Sequence, residues 1–210
     1  MMKTIILFIS VFLLTITTNA QSIQSKKIKM SKKLETAILA NGCFWCTEAI
    51  FQLLEGVESV TSGYTGGEIK NPTYKEICTG TTGHAEAIKI EFNPGVISFE
   101  DLLKVFFSTH DPTTLNRQGY DKGTQYRSAI FYISESQKQT AEKLIKALSE
   151  AQVFNDPIVT EVTKLSTFYK AEGYHQNYYN NNKTQGYCVA VINPKLEKFI
   201  KNYGDKLKKQ

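Results

Sequence analysis

Two cysteines, Cys43 and Cys46, stand three positions apart in "NGCFWC", around Trp45, the only tryptophan of the chain. A C-x-x-C pair suits three chemistries: half of a zinc site, a structural disulfide, or a reactive thiol. Zinc is the weakest reading, because Cys78 and Cys188 do not form a second pair of that spacing. A helix beginning at Phe44 puts Cys43 at its N-terminal edge, where unpaired N–H groups and the helix dipole favour negative charge. A thiolate is therefore expected at Cys43. An inert bridge between the same two residues stays open on spacing alone.

Other residue types extend the thiol reading. Phe44 and Trp45 flank Cys43, and large aromatics beside a thiol either form a slot for an apolar, sulfur-bearing group or simply pack in the core. In "HAEAIKIEF" (84–92) the even positions are His84, Glu86, Ile88, Ile90 and Phe92, and the odd ones include Lys89 and Glu91. Strand alternation thus expects solvent on the odd face and puts Glu86 on the apolar one, where burial raises a carboxyl pKa and suits it to act as a general acid. A strand end open to solvent, or a buried ion pair, would serve equally. His84 reads as a packing or hydrogen-bonding residue. Tyr64, before Gly66-Gly67, and Tyr126, opening the strand after a long loop, offer hydroxyl donors at strand edges, although most of the 11 tyrosines must be structural. Asp121 in "QGYDKGTQY" has the ordinary reading of a turn residue.

These groups need elements to hold them. Residues 34–40 read as a first strand. Asn41-Gly42 then turns into a helix with apolar Cys46, Ile50, Leu53, Leu54 and Val57 on one stripe, stopped by Gly56. Strand 84–92 precedes a helix capped by Ser98. Residues 110–125 form a long polar loop, followed by strand 126–133, a helix over 135–150 and strand 157–162. A tyrosine- and asparagine-rich loop (178–186) leads to strand "YCVAVI" (187–192). A last helix follows, with Asn193 as N-cap, Pro194 at its first position, and Leu196, Phe199, Ile200 and Tyr203 as its buried stripe. Alternating helices and strands with hairpin-like pairs make a two-layer α+β domain.

Composition sets the limits. Of 210 residues, 41% are hydrophobic and 21% charged, ordinary for a globular chain. The formal charge of +5 gathers in two lysine clusters, Lys26–Lys33 and Lys195–Lys209, expected to be solvated termini and not a nucleic-acid surface. Lys3 followed by an apolar run from Ile5 to Leu14, broken only by Ser10, and then small polar residues reads as a secretory signal peptide (1–20) cleaved after Ala20. That run is too short to span a bilayer, so no membrane association is expected after cleavage. Residues 21–33 read as a disordered polar lead-in and 34–210 as the catalytic domain.

"GCFWC" at 42–46, "GYTGG" at 63–67, "GTTGHAE" at 80–86, "HDPTTLNRQGYDKGTQYRS" at 110–128, "YHQNYY" at 174–179 and "GYC" at 186–188 together resemble an A-type peptide methionine sulfoxide reductase. The resemblance implies an α+β two-layer sandwich, a mixed β-sheet packed with helices on a ferredoxin-like core. It implies reduction of the S epimer of methionine sulfoxide, in proteins and as the free amino acid, through a cysteine sulfenic acid. Cys43 is similar to the family's nucleophile and Glu86 to the acid that protonates the departing oxygen. Tyr64 and Tyr126 would hydrogen-bond that oxygen, Phe44 and Trp45 would hold the methyl group, and Asp121 would help bind substrate. A thioredoxin-like reductant is implied, no cofactor or metal is, and a monomer is expected. With the signal peptide, repair of oxidised proteins outside the cytosol is the expected role.

Three features depart from the family pattern, one being Gly173 before "YHQ", where an acidic residue is common; the other two concern the cysteines. The fifth residue of the first motif is often Gly and here is Cys46. Many members also end in a glycine-rich tail with a further cysteine, whereas this chain continues past Cys188 without one. Both Cys46 and Cys188 are therefore expected to resolve the sulfenic acid, Cys188 slightly favoured because it matches the family's usual resolving position. Cys78 reads as a spare thiol. Two rival readings are a thioredoxin-type thiol–disulfide oxidoreductase and an exported binding domain whose Cys43–Cys46 bridge only staples a helix; neither needs Glu86, Tyr64 or Tyr126.

Overall fold

The structure, a computed structural model, describes residues 33–209. The expected signal peptide (1–20) and all but the last residue of the lead-in lie outside the described residues. In chain order the main elements are β1 (Glu35–Asn41), α1 (Phe44–Phe51), β2 (Val57–Thr65), α2 (Tyr74–Ile77), β3 (Ala85–Phe92) and α3 (Phe99–Thr109). They continue with β4 (Arg117–Gln118), β5 (Asp121–Lys122), β6 (Ser128–Tyr132), α4 (Glu135–Glu150), β7 (Glu161–Lys164), β8 (Tyr169–Lys170), α5 (Tyr178–Asn181) and α6 (Asn193–Tyr203).

Six strands form one sheet in the order β7-β6-β1-β3-β2-β8; β4 and β5 pair as a separate hairpin. Only β6–β7 is parallel. The inner order β6-β1-β3-β2, with α1 and α3 as crossovers, is the ferredoxin-like arrangement expected, and β7 and β8 cover its two edges. The fold is a mixed sheet packed with helices.

Alternation along β3 explains the layers. Ile88, Ile90 and Phe92 are fully buried against α1 and α3, each worth roughly 1.5–3 kcal/mol of apolar transfer. The expectation that the odd face meets solvent holds only at its far end, where Lys89 and Glu91 are half-buried. Ala85 and Ala87 instead join Ile38, Ala40, Ala129 and Phe131 in a second apolar cluster beneath Leu165 and Phe168. A chain segment returning over the sheet covers them, which strand period alone does not reveal.

Ser98 caps α3 by accepting the Asp101 N–H at 3.0 Å, and Ser134 caps α4, which spans the expected 135–150. Other boundaries differ. Helix α1 ends at Phe51, and Val57 begins β2 across the Gly56 turn. Tyr126 lies in a 3-10 turn, and the expected strand at 157–162 is instead Glu161–Lys164 beside β6. The largest correction is at 187–192: Cys188–Ile192 is a π-helical turn running directly into α6, so Asn193 is helical and not a cap. The β-branched run favours a strand only weakly, and here it continues into α6, where a helical spacing buries Cys188 and Ile192 in the core. Cys188, Ile192, Leu196 and Phe199 follow a helical spacing and are all buried, whereas Ile200 is exposed. The C-terminal lysine cluster is not a free end, since Lys208 N–H donates to the Leu53 carbonyl at 2.9 Å and its ammonium to the Gln52 carbonyl at 2.8 Å.

Candidate active site

Strand β1 leads into the site through Gly42, whose φ of +97° reverses the chain; any side chain there would also meet Gln118 at 2.7 Å. Cys43 then occupies the N-cap of α1 with an extended backbone, and its side chain caps nothing. The first free N–H of the helix, that of Phe44, donates to Glu86 Oε2 at 3.0 Å. Glu86 reaches it from β3, where it is 1% exposed. Its carboxyl group, not the Cys43 sulfur, therefore accepts the first free N–H of the helix.

That arrangement governs the acids of the site. Burial pushes Glu86 up from 4.5 to about 8, with the charges of Asp121 and Cys46 adding and the Phe44 N–H opposing. Burial likewise pushes the Cys43 thiol well above its ordinary value, assisted by Cys46 and Glu86. Cys46, one turn further on, is drawn down to about 7, chiefly by a hydrogen bond from the Cys43 thiol, with Lys195 and Tyr187 contributing. The two thiols are coupled, and the hydrogen bond from Cys43 favours negative charge on Cys46 over Cys43. The thiolate expected at Cys43 from the helix dipole is thus corrected, because burial of the thiol outweighs the dipole and Glu86 occupies the helix's first free N–H.

Around these groups lies a cleft of about 210 Å³. Phe44 and Trp45 form one wall. Trp45 is fixed on three sides: its indole N–H donates to His175 Nδ1 at 3.1 Å, its face stacks on Tyr178 at 3.7 Å, and Tyr187 meets it edge-on. Tyr74, Asp121, Tyr126 and Tyr187 line the remainder. Asp121, at the start of β5, accepts the Tyr187 hydroxyl at 2.8 Å. A buried acid protonated at neutral pH, a thiol pair and tyrosine hydroxyls suit the reduction of a small polar oxide seated on an aromatic wall.

The sequence profile for peptide methionine sulfoxide reductases matches residues 35–208. The chain belongs to that family. It is an oxidoreductase. MsrA of Deinococcus radiodurans is 59% identical to this reductase over 174 residues, which cover 83% of this chain and 84% of that one. Among solved structures, reduced Mxr1 from Saccharomyces cerevisiae superposes with a TM-score of 0.70 at 36% identity, over 74% of this chain and 90% of its own. The same yeast protein in complex with Trx2 superposes with a TM-score of 0.51 at 26% identity, over 73% and 91%.

Of the residues singled out from sequence, the reductase brings Cys43, Phe44, Trp45, Glu86, Asp121 and Tyr126 to one cleft, from four separate segments. Tyr64 is not among them. It is fully buried and its hydroxyl donates to Glu172 Oε2 at 2.9 Å, so it supports Phe44 from behind instead of facing the cleft. Cys188 is also absent, buried within the π turn. The residues sequence reasoning missed are Tyr74 and Tyr187 in the cleft, with Glu48, Glu172 and His175 behind it. A signal for Tyr74 existed: Thr73 and Glu76 form a capping box, which makes Tyr74 the first residue of α2. Glu172 accepts the Tyr74 N–H at 2.8 Å, and buried Glu48 accepts that of Asn177 at 2.9 Å. These two carboxylates anchor the 171–178 segment that carries His175 and Tyr178 against Trp45.

Proposed function

We propose that this reductase acts on the S epimer of methionine sulfoxide, in proteins and as the free amino acid, through a sulfenic acid on Cys43. The observation that carries the reading is Glu86, a fully buried carboxyl held to the head of α1 beside Cys43 and pushed up to about 8. At neutral pH such a group is protonated and able to donate.

The sulfoxide oxygen is placed toward Glu86 with the hydroxyls of Tyr126 and Tyr74, the latter in the role first expected of Tyr64. The methyl group rests on Phe44 and Trp45, and Asp121, braced by Tyr187, meets the polar part of the substrate. Cys43 hands its proton across the pair to Cys46 and attacks the sulfoxide sulfur. With Glu86 neutral, the charge that otherwise disfavours a Cys43 thiolate is absent. The Glu86 proton passes to the oxygen, the S–O bond to substrate breaks, and methionine leaves as Cys43–S–OH forms. The sulfoxide sulfur gains two electrons and the cysteine sulfur loses two. A second thiol closes a disulfide, which a thioredoxin-like dithiol reduces; the yeast relative's complex with Trx2 supports that donor class. The N-terminal pattern supports export and repair of oxidised proteins outside the cytosol, with the chain acting as a monomer.

The test is turnover of the mature protein on separated sulfoxide epimers with dithiothreitol. The expected result is reduction of the S epimer alone. Comparable rates on both epimers, or insulin reduction with no sulfoxide turnover, would overturn the reading.

A further inference from the structure

Resting on the reductase chemistry above, we propose that the mouth of the cleft, between the β4–β5 hairpin and α6, binds acidic side chains that flank the oxidised methionine in a polypeptide substrate. The rim would thus select among oxidised polypeptides by charge.

Position comes first. Asp121 of β5 lines the cleft, and Gln118, its partner across the hairpin, lines a groove of about 320 Å³ against α6. Gln118 also lies over Gly42, the residue before Cys43. One two-stranded ribbon therefore borders both the cleft and the groove. Its strands lie about 4.8 Å apart, and an extended chain advances about 3.4 Å per residue. A substrate with its methionine sulfoxide in the cleft thus carries residues about two to four positions away into the groove.

Charge comes second. Lys195 and Lys198, one turn apart on α6, line the groove opposite the end of α3. Neither forms an ion pair among the described residues. Like charges so spaced on a helix repel, and an anion between them relieves the repulsion. Lys195 is close enough to Cys46 to favour its thiolate and close enough to His110 to oppose its protonation, so groove and thiol pair share one field. On the hairpin, exposed Arg117 and Lys122 stand directly opposite one another, a second like-charge pair that costs stability unless an anion joins it. Arg117 Nε–H donates to the Gly119 carbonyl at 2.8 Å, and neither residue has an acidic partner among the described residues. Two carboxylates line the region, and both are engaged. Asp111, which offsets one charge of the groove, accepts the Thr113 N–H at 2.9 Å and hydroxyl at 2.6 Å, and Asp121 accepts the Tyr187 hydroxyl.

The complement of this rim is a carboxylate supplied from outside. A polypeptide fits better than a free anion, because the rim is continuous with the cleft and because Tyr120, 96% exposed at the hairpin turn, adds apolar surface beside the charges. Such contacts lie away from the reacting atoms and are made alike before and during the chemical step. They therefore act on KM and leave kcat alone.

The test measures kcat and KM, with dithiothreitol as reductant, for otherwise neutral peptides that carry one S-epimer methionine sulfoxide and a single Glu, Gln or Lys one to five positions to either side. At low salt the best-placed Glu peptide should exceed its Gln counterpart in kcat/KM about two- to fivefold, through KM, and its Lys counterpart by more. The ratio should fall toward one in about 1 M NaCl, where the Debye length is about 3 Å. Lys198→Glu should invert the order, so that the Lys peptide leads, and Lys198→Gln should flatten it. Each comparison is a ratio within one protein, so a change in the shared chemistry or in the folded fraction cancels. Equal values for Glu and Gln peptides at every position, or a Glu preference that Lys198→Glu leaves standing, overturns the proposal. Failure to reduce even the neutral peptides would instead sink the reductase reading.

Discussion

Replacing Glu86 with Gln should weaken catalysis and strengthen the fold at alkaline pH. Glu86 carries a folded-state pKa of about 8 against an ordinary 4.5, so between those values the folded protein binds more protons than the unfolded chain. Stability from this group is fully present below pH 4.5 and is lost as pH rises through about 8. The whole loss is about 5 kcal/mol, from 3.5 units at 1.36 kcal/mol each, and about 3 kcal/mol of it falls between pH 6 and 9. Gln keeps the shape, and its carbonyl can accept the Phe44 N–H, but it carries no charge to bury. Urea denaturation of wild type and Glu86→Gln at pH 6 and 9 measures this directly: the variant should gain about 3 kcal/mol relative to wild type at the higher pH, or roughly 6–12 °C in midpoint temperature for a domain of this size. The neighbouring thiols titrate in both proteins, so the difference reports the carboxyl and its coupling to them. In single-turnover assays at pH 7 the same variant should form methionine about 10² to 10⁴ times more slowly, with substrate affinity little changed. A stability difference independent of pH would refute the reasoning, because Glu86 would then not be a buried proton carrier. Loss of affinity without loss of the chemical step would leave it a packing residue.

The tyrosines should separate in kcat/KM assays paired with denaturation. Tyr74→Phe and Tyr126→Phe should each slow reduction by about 10- to 100-fold, whereas Tyr64→Phe should cost about 1 kcal/mol of stability through its lost bond to Glu172 and leave the rate within about threefold. A rate loss for Tyr64→Phe as large as for Tyr74→Phe would return Tyr64 to the cleft. The exported protein should begin at Gln21, which N-terminal sequencing of the secreted form checks; retention of Met1 there would remove the cleaved signal.

Much of the chemistry was legible without coordinates, because it depends on residue type and short-range spacing. Cys43 before a helix, Trp45 beside it and Glu86 on the apolar side of an alternating strand are local facts, and the motifs in order settled the family. Helices α3 and α4 were readable for the same reason: a serine cap followed by a periodic stripe specifies a helix within one segment. Tertiary structure alone decided which groups meet. Tyr64 stands at the end of β2 and Tyr74 opens α2, and only the position of Glu172, some hundred residues away, turns one hydroxyl inward and leaves the other at the cleft. The run from Cys188 to Ile192 has the composition of a strand and becomes a helical turn because, joined to α6, it buries Cys188 and Ile192 in the core beside Leu196 and Phe199. The thiol pair shows the same limit. Dipole and spacing place a thiolate on Cys43, but burial pushes that thiol up while Glu86 from a strand takes the helix terminus, and the hydrogen bond from Cys43, with Lys195 and Tyr187, favours charge on Cys46. Such outcomes depend on desolvation and on partners distant in sequence, and those exist only once the chain has closed around them.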